Sequence, residues 1–414
     1  MSRLLSTAIS SMKAAALGID VRADNIANLN TTGFKAVRPS FATLLTETLR
    51  EARSAGTNPG VNPVEVGGGV AVRSTVTDFT QGSLQHTGSA LDMAIVGTGF
   101  FLLRGANGQE AYTRDGGFSL DSTGRLVHSA SGLAVQGLKA DAATNTISPN
   151  AVPEDIVIQP GLALNAKATA NAVIGGNLDA RAVAGDDTSM QFRYYDSLGV
   201  AHVMTVGFTK GAAAGSWRFD AYIDSPANAA GTGTIVFNGV GDLQTVTGSA
   251  LTIPAGSPGL SQGANAPQTI ALSFASLKQY AADSEAQAAS QDGFQTGAIT
   301  EIHTDPQGNI EAVFSNGQTR LLARLGEVNF TNVNGLARVR DNLFLATSNA
   351  GPAQIVAAGS HGTGTIEAQS LENSNADLAT ELTSLLVLQR GYQASSRLIA
   401  SADEMLQEAL NLKR

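Results

Sequence analysis

Both ends of the chain carry a seven-residue apolar repeat, and the long stretch between them does not. Leu5, Ile9, Met12, Ala16, Ile19, Ala23 and Ile26 are spaced alternately by four and three. That is the seam of a helix packed along its length against another. The spacing predicts a helix from about residue 3 to about residue 28, roughly 40 Å long. It stops at NIANLNTTGFK, where Asn25, Asn28 and Asn30 crowd together. Gly33 is free there to take positive φ before the chain resumes at Phe34. At the other end Leu371, Leu378, Leu385, Tyr392, Ile399 and Leu406 recur every seven residues. Leu382, Leu388, Leu398, Met405 and Leu412 broaden that stripe. Ser374 or Asn375 is the expected cap, with Asp377 in the first turn and Lys413 and Arg414 in the last. This second helix is expected from about 375 to about 411.

Two such helices can close one globular domain as a hairpin, or they can assemble. Assembly is favoured because the seams run to both chain ends, where frayed polar residues are the norm. A lone helix pair also has little core to offset the ordering of its backbone. The apolar stripes are therefore expected to find partners on other copies of the chain.

Between the helices the apolar period falls to two. Met190, Phe192 and Tyr194 alternate, then Val200, His202, Met204, Val206 and Phe208, then Trp217, Phe219, Ala221 and Ile223. Turn signals recur at Asp196 to Gly199, Asp121 to Gly124, Asp305 to Gly308 and Asn316-Gly317. These features predict antiparallel β structure. Residues 51–69 read as an extended connector, and 140–175 and 240–270 as loops and crossings. The expected fold class is multidomain α+β. Residues 1–30 and 370–414 would form a terminal coiled-coil domain, and 31–70 a connector. Residues 71–145 and 297–369 would form a discontinuous β-rich middle domain, with 146–296 an inserted outer β domain.

The chain has 414 residues, a formal charge of −9 and no cysteine. No basic stripe supports nucleic-acid binding. Thiolate metal sites and cysteine nucleophiles are excluded. No run approaches the length of a membrane span, and MSRLLSTAISSMKAAALG is too broken by polar residues to read as a cleaved signal peptide. Gly259-Leu-Ser261-Gln-Gly263 matches a nucleophile elbow, but no apolar strand precedes it and no amphipathic helix follows, so it reads as a surface loop. His86, His128, His202, His303 and His361 are isolated in sequence, without ligand spacing. Asp305 and Gly308 lack the further acidic ligands of a calcium loop. Gly97-Thr98-Gly99 lacks the rest of a phosphate loop and reads as a turn or bulge. No catalytic residue, metal or cofactor is expected.

DNIANLNTTGFK resembles the N-terminal signature of the bacterial flagellar axial proteins, the rod and hook family. LDMAIVGTGFFLL with AYTRDGGFSLDSTGRLVHSASGLAVQG resembles its shared β domain. LENSNADLATELTSLLVLQRGYQASSRLIASADEMLQEALNL resembles its C-terminal signature. Hook-type members are the nearer likeness, because YYDSLGVAHVMTVGF lies in a large insert that distal rod subunits lack. The connector between Phe41 and Gly69 is longer than in compact hook-type members. The resemblance implies a structural subunit of a curved hollow tube, a universal joint that transmits motor torque and passes exported subunits; a distal rod subunit is the alternative. It further implies that the terminal helices line the channel, fold on assembly, and exit through Asn25 to Phe34. The implied partners are further copies in a helical polymer, the distal rod protein, the hook cap protein, the hook–filament junction protein and the flagellar type III export apparatus. Nucleic acid and membrane insertion are not implied. The implied location is the extracellular flagellum, reached without a cleaved signal peptide.

Overall fold

The computed structural model describes residues 2–52, 61–141, 144–148, 151–159, 161–360 and 362–411. His361, Leu412, Lys413, Arg414 and part of the connector lie outside the described residues. The chain divides into two compact units. One comprises 1–160, 302–311 and 320–414, the other 161–301 and 312–319. The expected inserted domain was 146–296.

The first unit contains both helices, α1 (Ser2–Ala27) and α2 (Leu378–Asn411). Asp377 caps α2: its Oδ1 accepts a hydrogen bond from the Thr380 amide at 2.8 Å. The expected caps Ser374 and Asn375 lie upstream of that position. A short polar side chain two or three residues before a free amide satisfies it, and Asp377 has that spacing. Leu371 is not in α2. It lies in strand Ser370–Glu372, antiparallel to Leu84–His86.

The connector is not a bare extended segment. Val37–Thr43 pairs antiparallel with Val70–Thr77, and Thr46–Arg50 with Val64–Gly67. Alternating Thr and Val positions support this ribbon despite the Gly, Pro and Asn beside them. Beyond it, Phe100–Arg104 pairs with Glu110–Thr113, Ala134–Lys139 and Glu327–Asn329. One face of that sheet buries Phe100, Leu102, Tyr112, Val328, Phe330 and Phe344. The rings meet edge-on, with Phe79 to Phe100 at 5.5 Å and Tyr112 to Phe330 at 4.8 Å.

The second unit is a β-sandwich. Its five-stranded antiparallel sheet runs Asp187–Tyr195, Ala201–Lys210, Ser216–Ile223, Ser225–Phe237 and Leu243–Thr247. Its four-stranded sheet is ordered Ala250–Ile253, Gln268–Lys278, Asn171–Asn177 and Glu285–Gln291, and the pairing of 268–278 with 171–177 is parallel. The inward faces share one core that includes Tyr194, Phe208, Trp217, Phe219 and Phe274. Aromatic residues make up only 5% of the chain, so these two units spend them on cores. Strands 171–177 and 250–253 fall where loops were expected. They bury only Ala172, Ile174, Leu251 and Ile253 as apolar side chains, too few to stand out among their polar neighbours.

Candidate assembly site

The α1 face against α2 is built from small residues. Ala8, Ala14, Ala15 and Gly18 are buried on α1. Gly18 lies under Leu388, Ser395 Oγ is 3.0 Å from Ser11 Oγ, and Arg22 Nη1 grips Glu381 at 2.8 and 3.0 Å. The pairing of 11 with 395 and 22 with 381 makes the helices antiparallel. Small side chains let the two backbones approach, and the ion pair, one Arg22 nitrogen against both Glu381 oxygens, sets their register.

The seam of larger residues is turned away by one position, about 100° around the helix. Leu5, Met12, Ala16, Ile19 and Ile26 stay half-exposed, and Ile9 is 39% exposed. On α2, Leu385 and Ile399 are half-buried, whereas Leu378, Leu382, Tyr392 and Leu406 are exposed. Each chain end thus has a partner in the other end of its own chain, through a second stripe. That pairing leaves the large apolar stripe open. One correction concerns hydropathy: by length and composition alone, Arg3–Ala27 is long and apolar enough to cross a membrane.

The exit from α1 is held by side chains that imitate backbone. Asn25 is fully buried; its Nδ2 donates to Val37 O at 2.8 Å and its Oδ1 accepts from Val37 N at 2.9 Å. Asn28 Nδ2 donates to Asp24 O and its Oδ1 accepts from Thr31 Oγ1. Asn30 is exposed. Gly33 takes φ 65°, and its amide donates to Glu372 O at 2.7 Å. A Cβ there would meet Asp115 N at 2.5 Å, so only glycine fits. Phe34 is buried beneath the Arg338 guanidinium, 4.2 Å from its ring centre.

Next to Phe34 lies a buried ionic chain absent from the sequence reading. Lys35 Nζ is 2.6 Å from Glu372 Oε1, which also accepts from the Gly82 amide at 2.7 Å. Arg114 Nη1 is 3.7 Å from Glu372 Oε2, and its Nη2 donates to Gly97 O at 2.7 Å. Burial pulls the Lys35 ammonium down from its ordinary value, against the attraction of Glu372. Burial lowers Arg114 likewise. Asn375 accepts from the Ala36 amide and donates to Asp78 O and Thr80 O. The only local signal was a charge set beside an apolar residue at each crossing, Lys35 after Phe34 and Glu372 after Leu371.

Two histidines thought isolated have carboxylate partners. His202 Nε2 is 3.1 Å from Asp196 Oδ2, and that oxygen also accepts from the Ser261 amide at 3.1 Å. Burial raises the Asp196 carboxyl, but bonds from Ser261, His202 and the Val200 amide outweigh it and hold it below the usual range. The carboxylate stands between Ser261 and His202, which pins two loops and does not align a nucleophile with a base. His128 is buried between Ser131 Oγ at 2.8 Å and Asp115 Oδ2 at 3.2 Å. Asp305 Oδ1 is taken by the Gln307 and Asn309 amides of its own turn. Among the described residues no group of His, Asp or Glu is placed to hold a metal.

Four family models match the chain. They are the flagella basal body rod protein over 5–35, the flagellar hook protein FlgE/F/G D1 domain over 94–173, the flagellar basal body protein FlaE D2 domain over 163–294, and the flagellar basal body rod FlgEFG protein C-terminal over 367–412. Flagellar hook protein FlgE of Treponema pallidum is 32% identical, covering 100% of both chains. The hook proteins FlgE of Borreliella burgdorferi and Escherichia coli are 33% and 34% identical, over 100% and 99% of each chain. The crystal structure of Helicobacter pylori flagellar hook protein FlgE2 aligns with a TM-score of 0.55 at 15% identity, covering 70% of this chain and 100% of that one, a likeness of fold.

Proposed function

The chain belongs to the flagellar hook protein FlgE family, and from that premise we propose that its open helical seams are the surfaces through which subunits polymerise. It is a structural subunit of the bacterial flagellar hook and not an enzyme, and the distal rod alternative is not favoured. The observation that carries the assembly reading is the division of labour on α1. Small residues serve the in-chain pair, and Leu5, Ile9, Met12, Ile19 and Ile26 remain for a neighbour. Each large side chain buried there contributes about 1.5–3 kcal/mol. Stacked helix pairs in an open helical array make a coiled-coil wall around a channel. In that arrangement residues 1–30 and 370–414 are the inner layer, and Asn25 to Phe34 is where the chain turns outward.

A tube that bends while it rotates needs outer contacts that remake easily. The second unit suits this. Several of its exposed charges are paired with near neighbours, Arg181 with Asp179, Arg218 with Asp220 and Lys278 with Asp242. Exposed pairs contribute about 0–1 kcal/mol each, little enough to exchange during sliding. The rod, cap and junction proteins and the export apparatus remain the proposed neighbours of such a tube.

Sedimentation and electron microscopy of a protein carrying Ile9→Gln and Ile19→Gln test the assembly reading. The expected result is loss of tubes with the β units still folded. Tubes formed at the wild-type concentration would refute it.

A further inference from the structure

Five of the six methionines fall into two groups. Met93, Met190 and Met204 are 0%, 5% and 0% exposed, inside the β units. Met12 is half-exposed on the open α1 stripe and Met405 is 58% exposed on α2. Met1 lies outside the described residues. We propose that Met12 and Met405 are an oxidation-sensitive pair through which a peroxide blocks self-assembly of the free subunit. The proposal rests on the assembly reading above.

The chemistry is a two-electron oxygen transfer. The thioether sulfur attacks one peroxide oxygen, the O–O bond breaks, and that oxygen stays on sulfur as a sulfoxide. The other leaves as water. Access of the oxidant decides which sulfur reacts, so the helical pair reacts ahead of the core group. The product replaces a flexible apolar side chain with a polar one on a surface that must desolvate. In a finished tube the same stripe is covered, so oxidation acts before assembly and not after it. Two electrons and two protons from a dithiol reductant, which becomes a disulfide, return the sulfoxide to thioether with its oxygen released as water, and reverse the block.

The experiment treats dilute full-length protein with hydrogen peroxide, maps sulfoxides by peptide mass spectrometry and measures the critical concentration for polymerisation. Sulfoxide is expected at Met12 and Met405 before Met93, Met190 or Met204, with a critical concentration raised about tenfold. A Met12→Leu, Met405→Leu protein is expected to assemble normally before and after treatment. Core methionines reacting first, oxidised wild type assembling unchanged, or the leucine variant losing assembly equally on treatment would each overturn the proposal. The Ile9→Gln, Ile19→Gln protein run alongside separates the two readings. If it fails to assemble while oxidised wild type assembles, only the methionine proposal falls. If it assembles normally, the assembly reading falls as well.

Discussion

Lys35 and Glu372 meet at 2.6 Å with side chains 1% and 0% exposed, joining the outward crossing after α1 to the return crossing before α2. A buried pair adds little over an apolar substitute, but removing one partner leaves an uncompensated charge, at about 3–5 kcal/mol. Glu372 also faces Arg114, so the two partners are not equivalent. Glu372→Leu strands two cations, whereas Lys35→Met leaves the carboxylate with Arg114 and the Gly82 amide. Glu372→Leu is therefore expected to destabilise the first unit more than Lys35→Met in chemical denaturation followed by circular dichroism. Trp217, the chain's single tryptophan, lies in the second unit. Its fluorescence transition is expected to stay unchanged in both variants.

At the helix pair the decisive quantity is space. A Cβ on Gly18 would meet Leu388 Cδ1 at 3.0 Å and Phe41 at 3.5 Å. Gly18→Ala gains about 1 kcal/mol of helix propensity, and the flexible end of Leu388 can retreat a few tenths of an ångström. The net effect is expected within about 0.5 kcal/mol of zero. Gly18→Ile adds a branched side chain that Leu388 cannot clear, and is expected to cost about 1–3 kcal/mol as overpacking. Amide exchange along α1 and α2 distinguishes them: fast in Gly18→Ile, native in Gly18→Ala.

The legible parts of this molecule are those whose signal is local. The strand from Trp217 to Ile223 buries alternate residues as its period requires, and Gly33 turns where the Asn-rich stop placed it. The heptad gave both helices, but its phase could not say which stripe faces which partner. Ala8, Ala15 and Gly18 repeat as regularly as Leu5, Met12 and Ile19, yet small residues carry no hydropathy signal. The contact of Lys35 with Glu372 spans most of the chain, and no local pattern encodes it. The ribbon of 46–50 with 64–67 has all its described strand residues exposed, so no buried face marked it.

Asn25 tests whether the exit depends on a side chain acting as backbone. It satisfies both the N–H and the C=O of Val37, and it is itself fully buried. Asn25→Ala leaves the two half-buried backbone groups of Val37 without this partner, at up to about 1–3 kcal/mol each before relaxation and solvation. Asn25→Asp keeps the acceptor for the Val37 amide but buries a carboxylate oxygen against the Val37 carbonyl, so it is expected to destabilise the fold at least as much as alanine. The measurement is exchange protection of the Val37 amide, lost in Asn25→Ala and no better retained in Asn25→Asp.

Glu327 gives the chain a pH dependence that its acidic composition does not suggest. The residue is fully buried, its Oε1 accepts from the Gly364 amide at 3.1 Å, and Gly99 closes against it. Burial raises its carboxyl to about 7 from the ordinary 4.5, although Gly364 and Arg114 both favour the charged form. Between those two values the folded chain holds a proton that the unfolded chain has released. Stability therefore falls as pH rises from about 4.5 to about 7, by about 3 kcal/mol, and is level above that range as far as this group decides it. Glu327→Gln fixes the neutral form. It is expected to match wild type near pH 5, to exceed it near pH 8, and to lose this part of the slope in denaturation midpoints taken across the range. An unchanged slope in Glu327→Gln would assign the dependence to other groups. An enhanced one would mean that Arg114 needs the charge, and that the ion pair outweighs the cost of burying it.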